Sequence, residues 1–230
     1  MAMRILIFNA ARVLGLVLWF AAPSAFAVVY DPSAAPANAA GPTANTSSNP
    51  QAQSALESGI AALKEADGPD GSTPAAAGAA KALSKAQKDA YARARKQFEE
   101  ATKLDPLFAE AWNGLGYSQR KLGDYDKALA SYGRALSLKP GYPEATEYRG
   151  EAYLGLNRIS DAKQAYLDLF ASNRALAQRL LGAMQGWIEA QRNGKARADA
   201  ADLAKWVEER SQIAAQTASL TREGTSTGWH

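Results

Sequence analysis

Apolar and small residues return along this chain at one fixed spacing. Advancing by 34 residues takes Ala94 to Ala128 and Ala162, Phe98 to Tyr132 and Tyr166, Ala101 to Ala135, Leu104 to Leu138, Pro106 to Pro140 and Gly116 to Gly150. That period is too long for a heptad and too short for a domain, so each unit reads as one pair of helices leaning on its neighbours. Upstream, Leu56, Ile60 and Leu63 fall at helical spacing around Gly59 and predict a helix over 51–66. Gly68 to Gly78, with Pro69 and Pro74, then predicts a loop that splits the first unit, and a long second helix is expected from near Ala79 to Leu104. Beyond Phe170 the 34-residue register lapses while helical patterning persists. Leu176, Leu180, Met184, Trp187 and Ile188 share one face, Asn193-Gly194 ends that helix, and Leu203, Trp206, Val207 and Ile213 line another.

The residue types within a unit have direct physical reasons. Small residues such as Gly116, Ala128 and Ala135 let two helix backbones approach closely, and the aromatic at 132 fills the space they leave. Leu122-Gly123-Asp124 supplies the turn between helices, and Pro140 stops the second helix because it has no N–H and restricts Lys139.

The middle unit resembles a tetratricopeptide repeat. Trp112, Leu115, Gly116, Ala128, Tyr132, Ala135 and Pro140 occupy the signature positions, and Gln119 stands where the family usually has a tyrosine. The following unit keeps Gly150, Tyr153, Ala162 and Tyr166 but has Thr146 and Arg149 in place of the tryptophan and leucine, and upstream only the second-helix half is clear. The resemblance implies an all-α fold, a short solenoid of helical hairpins. Its best repeat is 109–142, a weaker one follows at 143–170, a split first repeat covers 51–108, and capping helices extend over 171–220. Terminal units of such arrays are atypical because one face meets solvent. The segment 221–230, which ends in Trp229 and His230, is expected to be a flexible tail.

The first 27 residues differ in composition from the rest. Arg4 and Arg12 precede an apolar run from Val13 to Ala22, and Ala25-Phe26-Ala27 places small residues where a signal peptidase acts, so 1–27 reads as a secretory signal cleaved near Ala27. The expected location is periplasmic or secreted. An uncleaved membrane tether is the alternative, although the apolar run is far short of the ~20 residues a span requires. Residues 28–50, rich in Ala, Pro, Ser and Asn, are expected to be a disordered linker.

Without the signal, 24 basic and 23 acidic side chains remain, a balance that offers no field for nucleic acid. The chain has no cysteine, so no disulfide framework supports the fold. With His230 the single histidine and no glycine-rich phosphate loop, no Ser-His or Cys-His machinery, cofactor site or usual zinc site is expected. Asp67 and Asp70, beside two glycines, read as turn residues rather than calcium ligands.

What the resemblance implies about function is a non-catalytic interaction module or scaffold in the bacterial envelope. It would bind a peptide or partner subunit on the concave face formed by the first helices. The family's groove positions fall on Glu110, Asn113, Tyr117, Arg120 and Lys121, then on Glu144, Glu147, Glu151, Leu154 and Gly155. Helix geometry independently puts 144, 147 and 151 on one face. The competing expectations are that these charges are solvated surface, or that the chain is a carboxylate-dependent enzyme or accessory domain acting on an envelope polymer.

Overall fold

The computed structural model describes residues 47–68, 83–192, 194 and 196–226. Eight α-helices run through them: α1 Pro50–Asp67, α2 Lys85–Leu104, α3 Ala109–Lys121, α4 Tyr125–Leu138, α5 Pro143–Gly155, α6 Ile159–Ser172, α7 Arg174–Gln191 and α8 Arg197–Ser226. No strand occurs among the described residues. The fold is the all-α solenoid of hairpins that the periodicity implied. Each odd-numbered helix packs on the even one that follows it, and each even one packs on the next odd one. The odd helices α1, α3, α5 and α7 also touch in succession, which successive even helices do not do comparably. The array therefore bends toward the odd-helix side, which is its inner face.

Close approach explains the small residues. The Phe98 ring of α2 is wedged between Gly59 of α1 and Gly114 of α3, where an added Cβ would lie 2.7 and 2.6 Å from it. Tyr132 of α4 sits in the same way on Gly116 of α3. Ala94, Ala101, Ala128, Ala135 and Ala162 are all fully buried in these seams. Gln119, the departure from the family pattern, is buried and accepts a hydrogen bond from the Ser131 hydroxyl at 2.8 Å.

The turns inside the hairpins repeat as well. Gly123 has φ +88°, and its N–H bonds to the Arg120 carbonyl while that of Asp124 reaches back to Gln119. Thirty-four residues later Asn157 has φ 57°, with the matching bonds Asn157 to Leu154 and Arg158 to Tyr153. Both are helix ends closed by one left-handed residue, a conformation open chiefly to glycine and asparagine.

Three boundaries differ from the sequence expectation. The end of the linker is folded: Asn49 caps α1 and donates to the Leu104 carbonyl at 3.1 Å, and the Ser47 hydroxyl bonds Asp105. Those side-chain bonds to the end of α2 bring 47–50 into the domain. Helix α2 begins at Lys85 because Ser84 and Gln87 form a reciprocal capping box there. At the far end, α8 continues through Ser226, past the tail boundary set at 221. Polar residues without proline do not stop a helix, and none of 221–226 is proline. The signal at 1–27, the linker as far as 46, the expected loop from 69 to 78, the expected helix start at 79–82 and the last residues 227–230 lie outside the described residues, as does Asn193.

Helices α7 and α8 close the array. Leu176, Leu180, Leu181, Met184 and Trp187 of α7 join Ala200, Leu203 and Val207 of α8 in one core, with Trp206 packed at its edge. On the other side of α8, Asp202, Lys205, Glu208 and Glu209 are exposed, as befits a terminal helix.

Candidate functional site

The sequence places its candidate residues on α3 and α5, and the structure brings these two helices together on the inner face. Asn113 and Arg120 are buried, while Tyr117, Lys121, Glu110 and Glu144 are partly exposed. The three glutamates of α5 do not form an open acidic patch. Glu147 is 0% exposed and pairs with Arg179 of α7 at 3.2 Å, and the Glu151 side chain, 2% exposed, pairs with Arg120 of α3. Only Glu144 is left partly open. Glu147 and Glu151 lie one turn apart on one face of α5, and because one pairs with α7 and the other with α3, they tie three consecutive odd helices together.

Aromatic rings fill the space around these pairs. The Arg120 guanidinium lies 5.0 Å from the Tyr117 ring and 5.4 Å from that of Tyr148, and the two rings meet edge to face at 5.0 Å. The Tyr117 hydroxyl donates to Asp67 at 2.8 Å, Tyr91 bonds the same carboxylate, and Lys121 Nζ stands 3.8 Å from it. Toward the other edge, Lys139 pairs with Glu110 at 3.0 Å, and Asn113 Nδ2 donates to the Tyr142 hydroxyl at 3.2 Å.

The electrostatics follow from this burial. Burial and the neighbouring charge of Glu151 push the Glu147 carboxyl up from the ordinary 4.5 to about 7, against the opposing pull of Arg179 and Arg120. Burial works against the Arg120 charge, but Glu151 beside it more than compensates and holds the guanidinium protonated. Burial and the Arg120 charge lower Lys121, with Asp67 opposing. Burial and Asp67 raise the Tyr117 phenol.

Several acceptors on this face lack donors. Glu110 Oε2, Asn113 Oδ1 and both Glu147 oxygens are buried with no hydrogen-bond partner, since the Glu147–Arg179 contact lacks hydrogen-bond geometry. Orphaned buried acceptors are costly, at ~1–3 kcal/mol each. They mark where a bound group with N–H donors would gain most. Among the described residues no group of three or more His, Cys, Asp or Glu could hold a metal ion, and no helix is long and apolar enough to cross a membrane.

Sequence reasoning missed Asp67, Tyr91, Tyr142, Tyr148 and Arg179. Asp67 reads as a turn residue, yet α1 extends one turn beyond its repeat equivalent and carries it to α3. Arg179 was hidden because α7 falls outside the 34-residue register, so no repeat arithmetic leads to it. Tyr148 differs from its equivalent, Gly114, and carried no signal.

Two family models, both described as tetratricopeptide repeat, match residues 78–143 and 119–184. Together they run from before α2 into α7. A Hsp70-Hsp90 organising protein of Plasmodium falciparum is 32% identical over 82 residues, 36% of this chain and 32% of that protein. The anaphase-promoting complex subunit CDC16 of Saccharomyces cerevisiae is 28% identical over 79 residues, 34% of this chain and 9% of that one. The similarity thus spans about a third or less of these relatives.

Proposed function

We propose that this chain of tetratricopeptide repeats is a non-catalytic interaction module that binds an extended or helical peptide, or a partner subunit, on its inner face. The observation that carries the reading is the pair of orphaned acceptors Glu110 Oε2 and Asn113 Oδ1 beside the half-open Tyr117 and Glu144. Acceptors without donors on a face held rigid by buried ion pairs suit a ligand rich in N–H groups. A peptide backbone with lysine, arginine or amide side chains has that chemistry, and tyrosine serves as its apolar anchor. The similarity to a protein named for organising two chaperones supports a role in assembling other proteins. A carboxylate enzyme is less well supported, because Glu147 and Glu151 are each closed off by a guanidinium.

The setting belongs to the same proposal. Residues 1–27 direct export and are removed near Ala27, which puts the folded repeats in the bacterial envelope or outside the cell. N-terminal sequencing of the protein from cells tests this: Val28 as first residue supports it, and an intact Met1 or Ala2 rejects it.

The binding site is tested by photo-crosslinking in cells from positions 117 and 144, both partly open, with exposed Arg134 of α4 as control. A discrete adduct from 117 and 144 but not 134 is the expected result. Absence of adducts from both would overturn the inner face as the binding surface.

A further inference from the structure

A second surface, independent of the inner face, lies where α8 leaves the core. From Glu208 to Thr217 no residue of α8 is buried: Ala214 is only half-buried and Thr217 is exposed. The gap this opens against α6 and the first turns of α7 is a cavity of about 370 Å³, lined by Tyr166, Phe170, Arg174, Ala177, Gln178, Ala214 and Thr217. Its floor is aromatic: Tyr166 stacks on Phe170 at 5.6 Å and meets Trp206 edge to face at 5.2 Å.

The charge among its described lining has one sign. Arg174, exposed, lies 3.4 Å over the Phe170 ring and is the one charged residue among the described lining. Beyond the lining, Arg210 and Lys163 each stand 5.5 Å from the Trp206 ring. Arg210 pairs with Glu209 at 3.6 Å, yet its Nε is buried with no hydrogen-bond partner. The Tyr166 hydroxyl agrees: burial raises it, while the Arg210 and Arg174 charges oppose the rise. An aromatic floor with an exposed guanidinium, Arg174, resting on the Phe170 ring complements one kind of group, an apolar side chain with an anion beside it.

We propose that this cavity docks a short segment of a protein partner in which an aromatic or large aliphatic residue is adjacent to aspartate or glutamate. The apolar side chain fills the cavity over Tyr166 and Ala177, and the carboxylate meets Arg174 at the rim. Because the inner face offers acceptors and this cavity offers donors, the two surfaces select segments of opposite charge, so the chain can hold two different partners at once.

The test is a titration of the full ¹⁵N-labelled chain with acetyl-Phe-Glu-Asp-amide and its neutral isostere acetyl-Phe-Gln-Asn-amide, followed by NMR. Saturable shifts at the Gln178 side-chain amide and the Arg174 Nε–H are expected, with the acidic peptide tighter by about tenfold or more, the factor one charge-assisted hydrogen bond provides. Arg174→Gln should abolish that preference and Gln178→Glu should weaken the acidic peptide, both being exposed positions that leave the fold intact, while Lys205→Gln, on the other side of α8, should leave it unchanged. Equal binding of the isostere, shifts confined to the α3–α5 face, or no saturable shift at these two groups would each overturn the proposal. None of those outcomes bears on the inner face, which is read separately from positions 117 and 144.

Discussion

Glu147 and Asn157 show how far single side chains are set by what surrounds them. A glutamate whose pKa rises from 4.5 to about 7 on folding binds a proton more tightly in the native state. Its contribution to stability is therefore fully present below about pH 4.5, declines as pH rises, and is lost above about pH 7. Glu147→Gln removes this dependence. The variant should gain on the wild type by up to about 3 kcal/mol between pH 5 and pH 8, as read by denaturant unfolding at both values. A pH-independent difference would contradict the burial of this carboxyl. Asn157 holds φ 57° and bonds Asp199 at 3.0 Å across to α8. Asn157→Ala and Asn157→Gly lose that exposed bond alike, so their difference isolates the backbone. Alanine should be the less stable by about 1 kcal/mol. The equivalent position, Gly123, already has the residue that costs nothing there.

Between helices, the decisive features are the ion pair of α3 with α5 and the glycine seams. Arg120–Glu151 is buried, so removing one partner strands the other in an apolar site. Glu151→Ala should cost about 3–5 kcal/mol, while the double change Arg120→Met with Glu151→Leu should recover most of it, since apolar replacements of a buried pair are often neutral. Equal losses in the single and double variants would show that the pair itself, and not its desolvation, governs the seam. Gly116→Leu drives a branched side chain into the Tyr132 ring and should destabilise by a few kcal/mol, visible as a lowered Tm. The glycine was legible from its recurrence at 116 and 150. The ion pair was not, because recurrence reports what every repeat needs, whereas Arg120 and Glu151 stand where their repeat equivalents do not match.

Across the full array, contacts are between neighbouring elements, so stability should accumulate from hairpin to hairpin and depend on a closed end. Leu203 is the fully buried anchor of α8 on α7. Leu203→Ala should cost about 2–5 kcal/mol and, by loosening the cap, should raise amide exchange in α7 before α3. Uniform exchange along the chain would argue against an array and for one undivided core. The location of the two proposed binding surfaces follows from the same layout: curvature toward the odd helices makes the inner face, and the thinning contact of α8 beyond Val207 leaves the second cavity.

The 34-residue recurrence alone determined that the chain is a stack of helix pairs, which residues fill the seams, and where the hairpin turns fall, because those requirements are local and repeat with each unit. The resemblance to a known repeat family implied that Glu110, Asn113, Tyr117, Arg120, Lys121, Glu144, Glu147 and Glu151 lie on the first helices of their pairs. Only the tertiary structure decided which of them stay open. Glu147 and Glu151 share a helix face in the sequence, yet each is drawn under a guanidinium from a different neighbouring helix, and one of those, Arg179, comes from a helix outside the repeat register. Burial and charge pairing depend on which helices become neighbours and how closely they approach, and a one-dimensional pattern does not contain those distances.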